Sequence, residues 1–170
     1  KFPLRPELRY VIPVFINFGT SLKYEFINQL VSLNIKTADQ YKGFFNKIDV
    51  SDKGVVTLTV FGAPETREYS EILAIRFVQK IREHFPQIRT GIDFGLAYSG
   101  LTGNAFRNEW TVIGDVVNFA ARLMMAANPG EILLSERFKE KSRSLFSLSD
   151  LGEKSIKGKT PEEIQSAHTT

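Results

Sequence analysis

Glu109-Trp110-Thr111-Val112-Ile113-Gly114-Asp115-Val116-Val117-Asn118-Phe119-Ala120-Ala121-Arg122 is the stretch on which the reading of this chain turns. An apolar strand runs up to Gly114, and a helix opens directly after it. Asn118 and Arg122 stand one turn apart and so share a helix face. The other positions (Val116, Val117, Phe119, Ala120, Ala121, Leu123, Met124) are apolar, and the pattern predicts a mostly buried helix. A carboxamide and a guanidinium on one face of such a helix ask for a polar or anionic partner. Spacing alone also allows a plainer role, capping a neighbouring loop or edging a solvated face. The helix is too apolar to stand in water, so the surface around it is expected to be an interface.

Outward from that stretch the elements alternate. Tyr10–Phe18 reads as a strand with Pro13 as a blemish, and Ser21–Leu33 as a helix with its stripe at Leu22, Phe26, Leu30 and Leu33. A second short helix is expected over Lys36–Phe45. Phe45–Val50 and Val55–Phe61 flank Ser51-Asp52-Lys53-Gly54, a turn signal, and predict a β-hairpin. Glu68–His84 is helical by its apolar spacing. Ile88–Phe94 and Ala97–Thr102 are expected to pair with each other across Gly95. Asp115–Ala127 is stopped by Asn128-Pro129-Gly130. A strand at Glu131–Leu134, a helix from Ser135 and a strand near Phe146–Leu148 complete the pattern. The order β-α-β-β-α-β predicts an α+β fold with a ferredoxin-like core and extensions. Thr160–Thr170 is polar and is expected to fray or to link to a further domain.

Composition bounds this reading loosely. The 170 residues, 42% of them hydrophobic, suit one domain with one sizeable core. Without cysteine there is neither a disulfide framework nor a thiolate metal site. No apolar run is long enough to span a bilayer, and no signal-peptide pattern opens the chain. The first residue is not Met, which is expected of a fragment of a longer protein. A net charge of +3 is mild and compatible with a polyanionic ligand.

Trp110, Gly114, Asn118, Ala120 and Arg122 resemble the signature of class III nucleotide cyclases, a strand Y/W-x-x-x-G leading into a helix with N-x-A-x-R. Further motifs of that family follow in order along the chain. They are Arg5-Pro6-Glu7, Val60-Phe61-Gly62-Ala63-Pro64, Arg89-Thr90-Gly91-Ile92-Asp93-Phe94-Gly95, Pro129-Gly130-Glu131-Ile132 and the run from Leu151 to Gly158. The resemblance implies the nucleotide cyclase fold over residues 1–160, with 161–170 as a tail or linker. It implies attack of a ribose 3′-hydroxyl on the α-phosphate at a site between two cyclase domains, with two divalent metals held by two aspartates. The opposite half would supply base-reading groups, an Asn for the ribose and an Arg for the α-phosphate.

The metal half of that pattern is missing here. The register Phe15-Ile16-Asn17-Phe18-Gly19 puts Asn17 where the first aspartate belongs, and counting back from Phe61 puts Val55 at the second. Asp49 and Asp52 are nearby, but Asp52 fits better as a turn residue. Mg²⁺ prefers carboxylates and water, so this chain is expected to hold no catalytic metal. The other half looks complete. Asn118 and Arg122 match the ribose and phosphate positions, Thr111 the base-reading position, and Lys47 its companion lysine. That Lys/Thr pair is similar to the second cyclase half of soluble adenylyl cyclases. An ammonium donating to ring N1 and a hydroxyl accepting from the exocyclic amine suit adenine, whereas guanine would ask for a carboxylate.

The expected function is therefore one half of an adenylyl cyclase site, converting ATP to cyclic AMP and pyrophosphate. Mg²⁺ or Mn²⁺ would be held by a partner cyclase domain, in the same parent chain or another subunit. A cytoplasmic setting is expected, with no nucleic-acid partner and no membrane span. The isolated domain should be inactive or very weak. The alternative is a catalytically inactive cyclase-like module for dimerisation or regulation. RNA binding by a ferredoxin-like domain is a third reading. It would need aromatics within a Lys/Arg-Gly-Phe/Tyr run, and no such run is present.

Overall fold

β1 (Glu7–Asn17) is the strand around which the rest assembles, and from Val11 onward every one of its residues is buried. A strand covered on both faces reads as a continuous apolar run, as Val11–Ile16 does. The computed structural model describes residues 6–103, 106, 108–143 and 164–167. Within them β1 is followed by α1 (Tyr24–Gln40), β2 (Phe44–Ser51), β3 (Gly54–Phe61), α2 (Ser70–His84) and β4 (Arg89–Ile92). These six elements form the predicted βαββαβ core, with sheet order β2-β3-β1-β4. β5 (Gly95–Gly103), β6 (Asn108–Ile113), α3 (Asp115–Ala126), β7 (Ile132–Ser135), α4 (Glu136–Ser142) and β8 (Ile164–Ala167) extend it.

The two faces of the sheet have separate cores. Ile12, Val14 and Ile16 of β1 pack with Leu30, Ile75, Phe77 and Phe138 from α1, α2 and α4. Val11 and Phe15, alternating with them, pack on the other face with Leu58, Val60, Trp110, Val116, Val117 and Ala120 under α3. α4 begins where the Ser135 side chain accepts from the Phe138 N–H, an N-cap. Among the described residues no helix is long and apolar enough to cross a membrane.

Three expectations are corrected. The two helices foreseen over 21–45 are one, α1, because Thr37 and Ala38 are buried and carry the packing face past the polar stretch at Lys36. β4 and β5 do not pair with each other. Both lie antiparallel along β1, β4 against Val14–Asn17 and β5 against Glu7–Val11. The Asp93 N–H, at the break between β4 and β5, donates to the Pro13 carbonyl at 3.4 Å. N–H and C=O of one strand residue point to one side, so the donor that Pro13 lacks falls at this break, where a proline costs the sheet least. α3 is mostly buried, as its apolar pattern predicts, with Val116, Phe119, Ala120 and Leu123 lying against the sheet. Finally, part of the stretch read as a fraying tail forms β8, antiparallel to β7. The strand foreseen near Phe146–Leu148, Arg5 and the motif from Leu151 to Gly158 lie outside the described residues.

Candidate functional site

The residues at the two implied metal positions do not fit a divalent metal. Asn17 ends β1 with its carboxamide engaged at both ends. Nδ2 donates to the Lys53 carbonyl at 3.1 Å, and Oδ1 accepts from the Gly19 N–H at 2.8 Å. The tip of the β2–β3 hairpin is thereby tied to the end of β1. Gly54 is required there, since it has φ +127° and a Cβ would meet Asn17 Oδ1 at 2.5 Å. Val55 is fully buried in the core cluster with Ile16 and Phe18. Its backbone pairs with the same loop, N–H to Gly19 at 2.8 Å and carbonyl from Phe18 at 2.9 Å.

Asp49 does not replace them. It stands opposite Val56, and Val56 opposite Asn17, so the three form one row across β2, β3 and β1. Two interstrand spacings, about 10 Å, separate Asp49 from Asn17 at the backbone. Oxygens sharing one Mg²⁺ each lie about 2 Å from it. Asp52 sits in the exposed turn, as the sequence suggests. Among the described residues no group of three or more His, Cys, Asp or Glu side chains could hold a metal ion.

The same face carries Lys47 and Arg89, and α3 with Asn118 and Arg122 lies over it, whereas Thr111 alternates with Trp110 and Val112 and so points away from that core. Residues directly opposite in an antiparallel pair share a face. Lys47 stands opposite Leu58, and Leu58 opposite Phe15, which places exposed Lys47 on the α3 side of the sheet. Arg89, also exposed, stands opposite Asn17 on that side. The sequence reading takes Arg89 only as part of a motif. Strand register is what brings it beside Asn17.

α3 lies directly on this face because β4 has a glycine beneath it. A Cβ on Gly91 would meet the Ala120 carbonyl oxygen at 2.2 Å and the Met124 nitrogen at 2.3 Å, so backbone rests on side-chain-free backbone. With Val116, Phe119, Ala120 and Leu123 turned inward, Asn118 is exposed and Arg122 half-buried. Thr111, half-buried, sits in β6 between Trp110 and Val112, both of which point into the core under α3. Among the described residues the side chains of Lys47, Thr111, Asn118 and Arg122 have no hydrogen bond or ion pair with one another. The structure therefore offers polar groups on a surface rather than a closed pocket. Lys47, Arg89 and Arg122 make that surface basic, which favours a polyanion.

An open cavity of about 590 Å³ lies on the other face, lined by Tyr10, Ile12, Phe61, Tyr69, Phe94 and Lys141 among others. It contains none of the four predicted site residues, and Ile12 and Phe61 belong to the α1/α2 core. We therefore place the candidate site on the α3 face despite this cavity.

Comparison with known proteins bears on the family and the fold. Residues 71–168 match the family model of the adenylate and guanylate cyclase catalytic domain. Adenylate cyclase type 10 of Mus musculus is 37% identical over 132 residues, 70% of this chain but only 8% of that protein's length. The adenylyl cyclase CyaB from P. aeruginosa superposes with a TM-score of 0.83 at 25% identity, covering 98% of this chain and 97% of that one. The guanylate cyclase domain of RhGC from Catenaria anguillulae, solved in complex with GTP, shares the fold with a TM-score of 0.82 at 22% identity, covering 96% and 98%.

Proposed function

This chain belongs to the adenylate and guanylate cyclase catalytic domain family, and we propose that it is the base-reading half of an adenylyl cyclase site, completed by a second cyclase domain. The observation that carries the reading is a contrast between two sets of residues. The side chains of Lys47, Asn118 and Arg122 on the α3 side, and of Thr111, which alternates with Trp110 and Val112 along β6, make no hydrogen bond or ion pair with one another, while the metal positions are taken by a hydrogen-bonded Asn17 and a buried Val55.

In this account the Lys47 ammonium donates to adenine N1 and Thr111 Oγ1 accepts from the exocyclic amine. Asn118 holds the ribose, and Arg122 meets the charge that develops at the α-phosphate during displacement. The Mg²⁺ or Mn²⁺ falls to the partner domain, in the same parent chain or another subunit. ATP as substrate accords with a cytoplasmic setting. Because the chain spans 8% of the length of the mouse relative, the activity of any parent protein belongs to the same proposal.

Mixing the chain with cyclase domains that carry both aspartates tests it. Cyclic AMP should form from ATP in a productive mixture and fall about 10²–10³-fold with Arg122→Ala. The loss of both metal carboxylates also favours a second reading, a catalytically inactive module for dimerisation or regulation. A mixture that assembles yet is indifferent to Arg122→Ala would select it.

A further inference from the structure

The edge strand β2 carries one extra residue. Phe44 stands opposite Val60, Phe45 opposite Thr59 and Lys47 opposite Leu58, so the register shifts between Phe45 and Lys47 and Asn46 is left unpaired in a bulge. An unbroken ladder would set Asn46 against Leu58 and Lys47 against Thr57. Thr57 is fully buried and alternates with Leu58, so Lys47 would then point to the α1/α2 face. The bulge is thus what puts the Lys47 ammonium on the face with Asn118 and Arg122.

One side chain holds this arrangement. Asn46 Nδ2 donates to the Trp110 carbonyl at 3.2 Å, bridging β2 to β6, strands that share no ladder. The Phe44 ring packs edge-on against Trp110 beside it, with centroids 4.5 Å apart. The Trp110 carbonyl belongs to the peptide that carries the Thr111 N–H. A single hydrogen bond therefore fixes both the residue before Lys47 and the peptide before Thr111.

We propose that Asn46 is the positioning residue for base recognition, holding Lys47 and Thr111 in one frame so that adenine is preferred to guanine. This rests on the reading of Lys47 and Thr111 as the base-reading pair. Asn46 itself touches no substrate. It acts through the bulge on one side and the Trp110–Thr111 peptide on the other. An unsatisfied or loosened tie lets Lys47 and Thr111 move independently, and a base read by two groups needs their separation fixed.

The test is titration of the full chain, labelled with ¹⁵N, with ATP and separately with GTP, following amide shifts to obtain both affinities. The unsubstituted chain should prefer ATP. Asn46→Ala, and the near-isosteric Asn46→Asp that lacks the donor, should each lower the ATP:GTP preference about ten-fold. Asn46→Gln, which keeps a carboxamide donor, should recover part of it. A thermal melt identifies any variant that fails to fold, and the Asp and Gln variants carry the test if Ala does. If Lys47→Ala flattens the preference while folded Asn46→Asp leaves it unchanged, the positioning role is overturned and base reading by Lys47 stands. If Lys47→Ala changes nothing, or the unsubstituted chain shows no preference, the base-reading assignment falls and this inference with it.

Discussion

Asn17 and Lys53 are joined by a hydrogen bond of 3.1 Å from the Asn17 carboxamide to the Lys53 carbonyl. A carboxylate at residue 17 could not make it, because a carboxylate only accepts. The bond that ties the hairpin to β1 and the metal position of the wider family therefore make opposite demands on one side chain.

Asn17→Asp should consequently destabilise the chain by about 1–3 kcal/mol, since an acceptor would face an acceptor in a nearly buried setting. Urea denaturation at neutral pH measures this. Addition of Mg²⁺ should not restore the loss, because residue 55 remains a buried valine. A Mg²⁺-dependent rise in the midpoint of the variant would contradict the account of this position.

Gly91→Ala should be more damaging than its size suggests. The new methyl would lie 2.2 Å from the Ala120 carbonyl oxygen and 2.3 Å from the Met124 nitrogen, both backbone, so no rotamer change relieves it. Overpacking of this kind costs about 1–3 kcal/mol or more. α3 should be pushed off β4, carrying Asn118 and Arg122 with it. A melting temperature unchanged from the parent chain would mean that α3 does not rest on Gly91.

Asp93 is fully buried and accepts from Arg137 in α4, with Nε at 3.2 Å and Nη2 at 2.5 Å, and from the Phe94 N–H at 2.6 Å. This pair clamps the break between β4 and β5 to α4. Arg137→Ala strands the buried carboxylate, and because the guanidinium itself is half exposed the expected cost is about 2–3 kcal/mol. Chemical denaturation checks the figure. A loss under about 0.5 kcal/mol, the level of an ordinary surface change, would show that the clamp is idle.

In a reconstituted pair, Arg122→Ala and Lys47→Ala should separate. The first should lower kcat about 10²–10³-fold with little change in KM, because the arginine is assigned to charge that develops only in the transition state. The second should mainly raise KM for ATP and weaken discrimination against GTP. Steady-state kinetics at two ionic strengths decides. A general electrostatic funnel would give two similar, salt-sensitive profiles and would refute separate roles.

Local chemistry made much of this legible in the sequence. Asp52-Lys53-Gly54 announces the hairpin, the 3.6-residue spacing announces α2 and α3, and Asn118 with Arg122 declares its shared face. What stayed hidden depends on partners distant in the chain. Gly95 suggests a turn between paired strands, but β1 is long enough to accept β4 and β5 end to end along one edge. That α3 sits directly on β4 was not legible, because Gly91, the seat beneath it, has no side chain to enter any periodicity. Asn46 between Phe45 and Lys47 looks like an ordinary strand residue. Its bulge comes with a hydrogen bond to the carbonyl of Trp110, 64 residues away, a partner that no local pattern announces. Arg89 likewise joins the site through register alone.

The central claim is that this chain brings base and phosphate recognition but no catalytic metal ligands. The most direct measurement is cyclic AMP production from ATP by the purified chain alone, at concentrations that would favour self-association, with Mg²⁺ and then with Mn²⁺. The account predicts no product above the uncatalysed background with either ion, since two copies would unite two base-reading halves and no carboxylate pair. Robust cyclic AMP formation by the chain alone would contradict it and place a working metal site where Asn17 and Val55 now stand.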